Sequence, residues 1–144
     1  LYGPLIGILL VGLNVRFGWP PRIPTLLQLA GLAFFALANF FVFWALITNK
    51  FFSAVVRIQK DRGQTVVTTG PYRHLRHPGY LGGVLYHLST PVMLNGFWGL
   101  IPGAIIAITF IVRTALEDRT LKAELDGYKE YAEKVRYRLL PGVW

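Results

Sequence analysis

The sequence contains no cysteine and few charged residues. Without cysteine, the chain has no disulfide bond, no thiolate metal ligand and no cysteine nucleophile. Charged residues make up 15% of its 144 residues, whereas soluble domains carry about 25%. Only seven residues are acidic, against fifteen Lys and Arg. This composition is not that of an ordinary soluble domain or of a disulfide-stabilised secreted one.

Several sequence signatures of catalysis are also absent. No Gly-x-Gly-x-x-Gly motif follows a strand-like run, so nothing supports a Rossmann nucleotide site. The sequence likewise lacks His-Glu-x-x-His, Gly-x-Ser-x-Gly and a phosphate-binding loop ending in Gly-Lys-Ser/Thr. These motif-defined classes of metal, serine and nucleotide chemistry therefore gain no support.

Apolar residues, in contrast, are abundant. They make up 53% of the chain, aromatic residues make up 15%, and the mean hydropathy is +0.45. These values are typical of an integral membrane protein, and the length fits one domain. The chain begins at Leu1, already inside apolar sequence and without a signal-peptide pattern, so we expect further residues upstream.

Four apolar segments predict an all-α membrane protein with about four transmembrane helices. One of them has 24 uncharged residues, enough at about 1.5 Å per residue to cross a hydrocarbon core of about 30 Å. Asn95-Gly96 is a turn signal, so the last two segments predict a helical hairpin. The four segments are Tyr2–Leu13, Thr25–Thr48, Tyr80–Leu94 and Phe97–Val112.

The basic residues lie mainly in two blocks, Lys50–Arg76 and Arg113–Arg138. The hairpin returns the chain to the side it left, so both blocks face one side of the membrane, and the positive-inside rule makes that side cytoplasmic. The basic excess thus follows membrane topology and favours contact with anionic membrane lipid. We therefore expect no nucleic-acid partner.

These patterns predict a single membrane domain over residues 1–144. Residues 1–48 form two spans, 49–79 a cytoplasmic loop, 80–112 the hairpin, and 113–144 a cytoplasmic helix with a tail. The helical pattern from Val112 to Lys134 places leucines and tyrosines on one face, with Gly127 as a weak interruption.

The segment Gly70–Tyr80, with the sequence GPYRHLRHPGY, carries two Arg, two His and two Tyr just before an apolar run. Pro71 and Pro78 restrict its backbone. Arg, His and Tyr are also common as anchors at a membrane interface. We interpret the complete string as a binding loop, because an anchor does not need so many polar groups.

Arg113 and Glu117 are four residues apart and share one helix face. They form either a snorkelling arginine with a surface ion pair, or a site in which Arg113 binds an anion and Glu117 a cationic group. A histidine on an apolar segment, such as His87, is more often packed in the core than part of a binding pocket. Arg57 and Gln59, on a predicted amphipathic stretch from Phe51 to Lys60, are weaker pocket candidates.

The string Arg76-His77-Pro78-Gly79-Tyr80 resembles the Arg-His-Pro-x-Tyr motif of a family of membrane methyltransferases. These are the isoprenylcysteine carboxyl methyltransferases and their phospholipid methyltransferase relatives. That family continues with a helical hairpin, an Arg-x-x-x-Glu-Glu motif and a Tyr-x-x-Tyr helix, matched here by Arg113, Glu117, Tyr128 and Tyr131. The resemblance covers about residues 50–144, and the first two spans fit by hydrophobicity only.

One position departs from the family pattern, since Asp118 stands where the family often has a second glutamate. The carboxylate is kept but its reach is shorter. The role of Asp118 therefore stays open.

The resemblance implies an S-adenosyl-L-methionine site beneath the cytoplasmic loops and no metal. Glu117 would hold the ammonium group of the methionine part, and Arg113 would orient a lipophilic acceptor, most simply a carboxylate such as that of a prenylated cysteine. Arg113 and Glu117 are thus the expected catalytic residues. The further cofactor-contacting residues would be Gln64, Thr65, Val66, Val67, Tyr72, His77, Pro78, Gly79 and Tyr80.

Two other activities, and a non-enzymatic membrane scaffold or transporter subunit, remain open from the sequence. Membrane sterol reductases, which use NADPH, share a similar Arg-His-Pro-x-Tyr motif and a Tyr-Arg-x-x-Pro ending, which Val135–Pro141 resembles. Against a reductase, Gly83 follows Gly82 where the reductase pattern has an acid. A phospholipid amine N-methyltransferase would use the same methyl donor, and the sequence does not separate O- from N-methylation.

Overall fold

A computed structural model describes residues 2–53 and 57–144, and these residues form α-helices, short 3₁₀ turns and no strand. The all-α prediction is therefore confirmed. The 3₁₀ turns are Lys60–Arg62, Gly70–Arg73 and Phe97–Gly99. The α-helices are α1 (Gly3–Phe17), α2 (Thr25–Thr48), α3 (Pro78–Met93), α4 (Leu100–Glu124) and α5 (Tyr128–Lys134).

Two helical stretches among the described residues, α2 and Phe97–Glu124, are long and apolar enough to cross a membrane. Only 17% and 28% of their most apolar windows are buried, so neither is the core helix of a soluble protein. Large apolar side chains face outward along them, with Leu26 77% and Ile47 81% exposed. Exposed apolar surface on this scale is typical of contact with lipid. The chain is thus a membrane protein.

The described chain forms two compact units. The first comprises the residues up to Phe40 together with Gly82–Ile111. Buried Asn14 joins its chain segments by donating to the carbonyl of Trp19 at 2.9 Å and accepting from the backbone N–H of Trp98 at 3.1 Å. Asn95 has a φ of 56°, which confirms the turn predicted at Asn95-Gly96.

Close packing of α3 against α4 in this first unit depends on a glycine. A Cβ atom added at Gly103 would overlap the backbone carbonyl oxygen of His87. Backbone atoms cannot move aside as a flexible side chain can. Gly12 in α1, by contrast, has open space at the corresponding position.

Replacing Gly103 by alanine should therefore destabilise the protein by about 1–3 kcal/mol, as other overpacking substitutions do. Gly12→Ala should be neutral or stabilise by up to about 1 kcal/mol, since alanine is the better helix former. Thermal unfolding of both variants in detergent measures the difference. Equal unfolding temperatures for the two variants would contradict the close helix contact.

The second unit comprises Phe41–Leu81 and Val112–Trp144. Here the structure differs from the predicted single helix over Val112–Lys134. Helix α4 begins at Leu100 and continues without a break to Glu124, because no helix-breaking residue separates its apolar and charged parts. Gly127, with a φ of 78°, then separates it from α5, since glycine adopts this left-handed conformation readily.

The stretch Phe51–Lys60 was predicted to be amphipathic. Residues 54–56 of it lie outside the described residues. Residues 51–53 and 57–59 are not helical. These residues reach the candidate active site as irregular chain.

Candidate active site

The second unit contains an open pocket. Its empty space is about 850 Å³ when the solvent at its mouth is included, and about 90 Å³ is available to the centre of a water molecule. Nine of the residues predicted to form the site line this pocket: Gln64, Thr65, Val66, Val67, Tyr72, His77, Gly79, Tyr80 and Glu117.

Two predicted site residues do not line the pocket. Pro78 is fully buried and is the first residue of α3, a position where its fixed φ suits the start of a helix. Arg113 is not part of the pocket wall, and its Nε donates a hydrogen bond of 2.8 Å to the hydroxyl of Tyr80. The structure therefore gives Pro78 a backbone role and connects Arg113 to the pocket through Tyr80.

The hydroxyl of Tyr80 links the two residues of α4 that the sequence singled out. It accepts the hydrogen bond from Arg113 and donates one of 2.5 Å to Oε2 of Glu117. The Arg113 guanidinium also lies 5.7 Å from the centre of the Tyr80 ring. Spacing of four residues places Arg113 and Glu117 on one helix face, and Tyr80 from α3 bridges them.

Replacing Tyr80 by phenylalanine should reduce kcat/KM for the reaction proposed below by about tenfold, because a hydrogen bond to a charged group contributes about 1.5–3 kcal/mol and part of it is recovered by water. Tyr137→Phe is the matched control, since Tyr137 is exposed and does not line the pocket. Initial-rate assays compare the two variants. An unchanged rate in Tyr80→Phe would show that the hydroxyl bridge does not matter for turnover.

A buried carboxylate, Asp118, lies behind the same wall and is 1% exposed. Arg76 donates to both of its oxygens, from Nε at 2.7 Å and from Nη2 at 3.1 Å. Arg138 adds a bond of 2.9 Å from Nε, and the Lys122 ammonium lies 3.3 Å away. Three cationic side chains thus surround one carboxylate, and their attraction offsets the cost of burying its charge.

Arg76 also ties the binding loop to the C-terminal segment. Its Nη1 donates to the carbonyl oxygens of Val135 at 2.6 Å and Arg136 at 2.7 Å. The backbone N–H groups of Arg76 and His77 donate to the carbonyls of Tyr137 and Arg138 at 3.0 Å. The end of the chain therefore holds the Arg-His part of the motif in place.

Sequence reasoning did not assign this role to Arg76 or Asp118. One signal was present, because adjacent residues on a helix point about 100° apart. Asp118 is therefore expected to point in a different direction from Glu117, and the structure places it on the buried side.

The pocket tyrosines are held as neutral phenols. Burial raises the pKa of Tyr72 to about 12, although Asn49 donates to its hydroxyl at 3.3 Å. Burial also raises the pKa of Tyr128 and Tyr131 well above the ordinary value. The hydroxyl of Tyr131 donates to the carbonyl of Tyr72 at 2.7 Å. These side chains therefore present neutral rings and hydroxyls to the pocket near pH 7.

Gln64 is predicted to contact the cofactor, yet its side-chain oxygen accepts a bond of 2.7 Å from the backbone N–H of Gln59. Gln59 is itself buried and donates from Nε2 to the carbonyl of Phe51 at 2.7 Å. Arg62 donates to the side-chain oxygen of Gln59 at 2.6 Å. Gln59, a weak candidate from sequence, is thus the residue that shapes this rim of the pocket.

Gly79 packs so closely under the Phe52 ring that a Cβ atom added at Gly79 would lie 2.5 Å from the ring. This close contact brings the chain segment that contains Phe52 against the first turn of α3. His87 belongs to the first unit, where its ring stacks on Phe110 at 5.8 Å. It is therefore a packed histidine and not part of this pocket. Among the described residues, no cluster of three or more His, Asp or Glu is placed to hold a metal ion.

Fold and pocket together define an all-α membrane protein with a polar pocket, built from the Arg-His-Pro-x-Tyr loop and a helix that returns to it. The model of the isoprenylcysteine carboxyl methyltransferase (ICMT) family matches residues 31–123, more than half of the chain. The chain belongs to this family. The match includes the loop, Arg113 and Glu117, but not Tyr128 or Tyr131.

Several curated proteins resemble the chain. Protein-S-isoprenylcysteine O-methyltransferase of Schizosaccharomyces pombe is 27% identical over 111 residues, which are 75% of this chain and 47% of that protein. Protein-S-isoprenylcysteine O-methyltransferase B of Arabidopsis thaliana is 32% identical over 94 residues, 63% of this chain and 48% of that protein. The Homo sapiens protein-S-isoprenylcysteine O-methyltransferase is 32% identical over 92 residues, 58% and 30% of the two chains. The chain spans less than half the length of these relatives.

Proposed function

We propose that the protein transfers a methyl group from S-adenosyl-L-methionine to a carboxylate on a lipophilic acceptor, of the class of a prenylated cysteine. One observation carries this proposal. The two family motifs, separated by more than thirty residues in sequence, come together at the hydroxyl of Tyr80, which contacts Glu117 in the pocket lining and Arg113 outside it. The names of the curated relatives supply the acceptor class.

The pocket residues fit the methyl donor chemically. The carboxylate of Glu117 suits the ammonium group of the methionine part, and the aromatic faces of Tyr72 and Tyr80 suit a sulfonium cation. Both tyrosines and Glu117 line the same pocket. When bound, S-adenosylmethionine supplies an electrophilic methyl group on positively charged sulfur.

Arg113 fits the acceptor, since a guanidinium binds a carboxylate in a planar, two-pronged geometry. A carboxylate is already ionised near pH 7, so the protein does not need a general base to activate it. The residues would then act mainly by holding donor and acceptor in line, and such positioning contributes several kcal/mol. Tyr80 couples the two ends of the site because its hydroxyl contacts both Arg113 and Glu117.

We further propose that α1–α4 make a multi-pass membrane domain with the pocket on the cytoplasmic side. The two basic blocks support this orientation. Helices α1 and α3 have 15 and 16 residues, about 22–24 Å at 1.5 Å per residue, and local thinning of the bilayer accommodates such short helices. Anionic lipid is the expected neighbour of the basic blocks.

A binding experiment separates the proposed activity from the reductase alternative. Calorimetric titration of the detergent-solubilised protein should show binding of S-adenosylmethionine and of S-adenosylhomocysteine, but not of NADPH. The reverse pattern would replace the methyltransferase by a reductase. If none of the three compounds bound, the pocket would lack its proposed ligand, and the proposal would be contradicted.

A further inference from the structure

His77 lies where the pocket wall meets the buried Asp118. Its side chain is 4% exposed, and its ring stacks on Tyr80 with centres 5.8 Å apart. Its Nε2 atom lies 3.4 Å from Oδ1 of Asp118 and 3.4 Å from the hydroxyl oxygen of Tyr128. Two groups from other parts of the chain thus surround this one ring nitrogen.

These neighbours determine where the proton of the neutral imidazole resides. Asp118 faces three cationic side chains, so it is a carboxylate and only accepts hydrogen bonds. The single hydroxyl proton of Tyr128 goes to Asp118, at 3.0 Å. Nε2 of His77 therefore faces two acceptors and must carry the proton. A neutral imidazole protonated at Nε2 has an unprotonated Nδ1, which accepts a hydrogen bond.

Nδ1 is the part of His77 left to meet a ligand. Among the described residues, His77 makes side-chain hydrogen bonds through Nε2 only. In that part of the chain, no fully buried side-chain nitrogen or oxygen lacks a partner. Nδ1 therefore retains contact with solvent, and His77 lines the pocket.

We propose that Asp118 and Tyr128 hold His77 in its Nε2-protonated form, so that Nδ1 accepts a hydrogen bond from a hydroxyl or amino group of the molecule in the pocket. Asp118 is then a positioning residue that acts through His77. This assignment gives a role to the position at which the chain departs from the family pattern. The identity of the ligand rests on the proposed function. S-adenosylmethionine would supply the donor, because it carries ribose hydroxyls and an adenine amino group.

Nitrogen-15 NMR of the histidine side chains tests the protonation directly in the full chain, without any substitution in the network. The chain has three histidines, and the signals of His77 are those lost in a His77→Gln sample. With the pH raised until the ring is neutral, we expect His77 to be protonated at Nε2 and unprotonated at Nδ1. A neutral ring with its proton on Nδ1 would overturn the proposal.

Two substitutions then test the acceptor at Nδ1. Glutamine places its amide nitrogen near the position of Nε2, so His77→Gln keeps a donor toward Asp118 but lacks the acceptor. Asparagine places its oxygen near the position of Nδ1, so His77→Asn keeps the acceptor. We expect S-adenosylhomocysteine to bind about tenfold more weakly to His77→Gln, the effect of one lost hydrogen bond, and within about threefold of wild type to His77→Asn.

A purely structural role for His77 predicts the opposite order, because glutamine preserves the contact with Asp118. Equal or tighter binding by His77→Gln than by His77→Asn would therefore contradict the acceptor role. Failure of the wild-type chain to bind S-adenosylhomocysteine would refute the proposed function and with it the acceptor role. The NMR result would still decide the protonation of His77.

Discussion

Replacing Glu117 by glutamine should reduce kcat/KM for methyl transfer by about 100-fold. Glu117 is the carboxylate that lines the pocket among the described residues, and it receives the hydroxyl of Tyr80. Glutamine keeps the size but removes the negative charge. The charged hydrogen bond to an ammonium group contributes about 1.5–3 kcal/mol, equivalent to about 10- to 150-fold. We place the effect toward the upper end because the Tyr80 bridge to Arg113 is also weakened.

Glu124→Gln is the matched control for this substitution. Glu124 lies on the same helix and is exposed, and its replacement by glutamine removes the same charge. The rate of methyl transfer by Glu124→Gln should stay within about twofold of wild type, because exposed charges contribute little to interaction energies. Titration with S-adenosylmethionine should show the loss in Glu117→Gln as weaker binding of the methyl donor. Wild-type affinity and rate in Glu117→Gln would remove Glu117 from the site.

Replacing Asp118 by alanine should destabilise the protein by about 3–5 kcal/mol, the usual cost of breaking a buried ion pair. The Arg76 side chain is 4% exposed and would keep its charge without a carboxylate. Arg138 and Lys122, at 28% and 38% exposed, can turn toward water. Most of the expected loss therefore arises from Arg76.

Thermal unfolding in detergent measures this loss, and Glu124→Ala provides the control. Glu124 ends α4, where a negative charge opposes the helix dipole, so its removal should change stability by less than about 0.5 kcal/mol. If Asp118→Ala unfolded at the temperature of Glu124→Ala, the ion-pair network would have no part in stability.

The sequence was sufficient for the helices that face lipid. An uncharged run of the right length predicts Thr25–Thr48, and α2 has these bounds. Asn95-Gly96 predicts the turn between α3 and α4. These elements depend on local composition, so local patterns suffice to find them. Nine of the eleven predicted site residues also line the pocket, because the motifs lie on the elements that form its wall.

The contacts behind the pocket could not be predicted. Arg76 and Asp118 are 42 residues apart, and sequence spacing does not show which buried charges meet. The place of Asp118 beside Glu117 on a helix indicates only that the two side chains point in different directions, and it does not identify the partners of Asp118 from the C-terminal segment. The bridging role of Tyr80 likewise requires coordinates, because a hydroxyl from α3 joins two residues of α4.

The proposed function requires this chain to form a carboxyl methyl ester on a lipophilic acceptor. The most direct measurement incubates the purified protein in detergent with methyl-tritiated S-adenosylmethionine and N-acetyl-S-farnesylcysteine, then treats the product with base. A methyl ester releases its label as volatile methanol, whereas an N-methyl group does not. We predict base-labile label on the farnesylcysteine, strongly reduced in Glu117→Gln. No transfer of label, or label that withstands base, would contradict the proposed function.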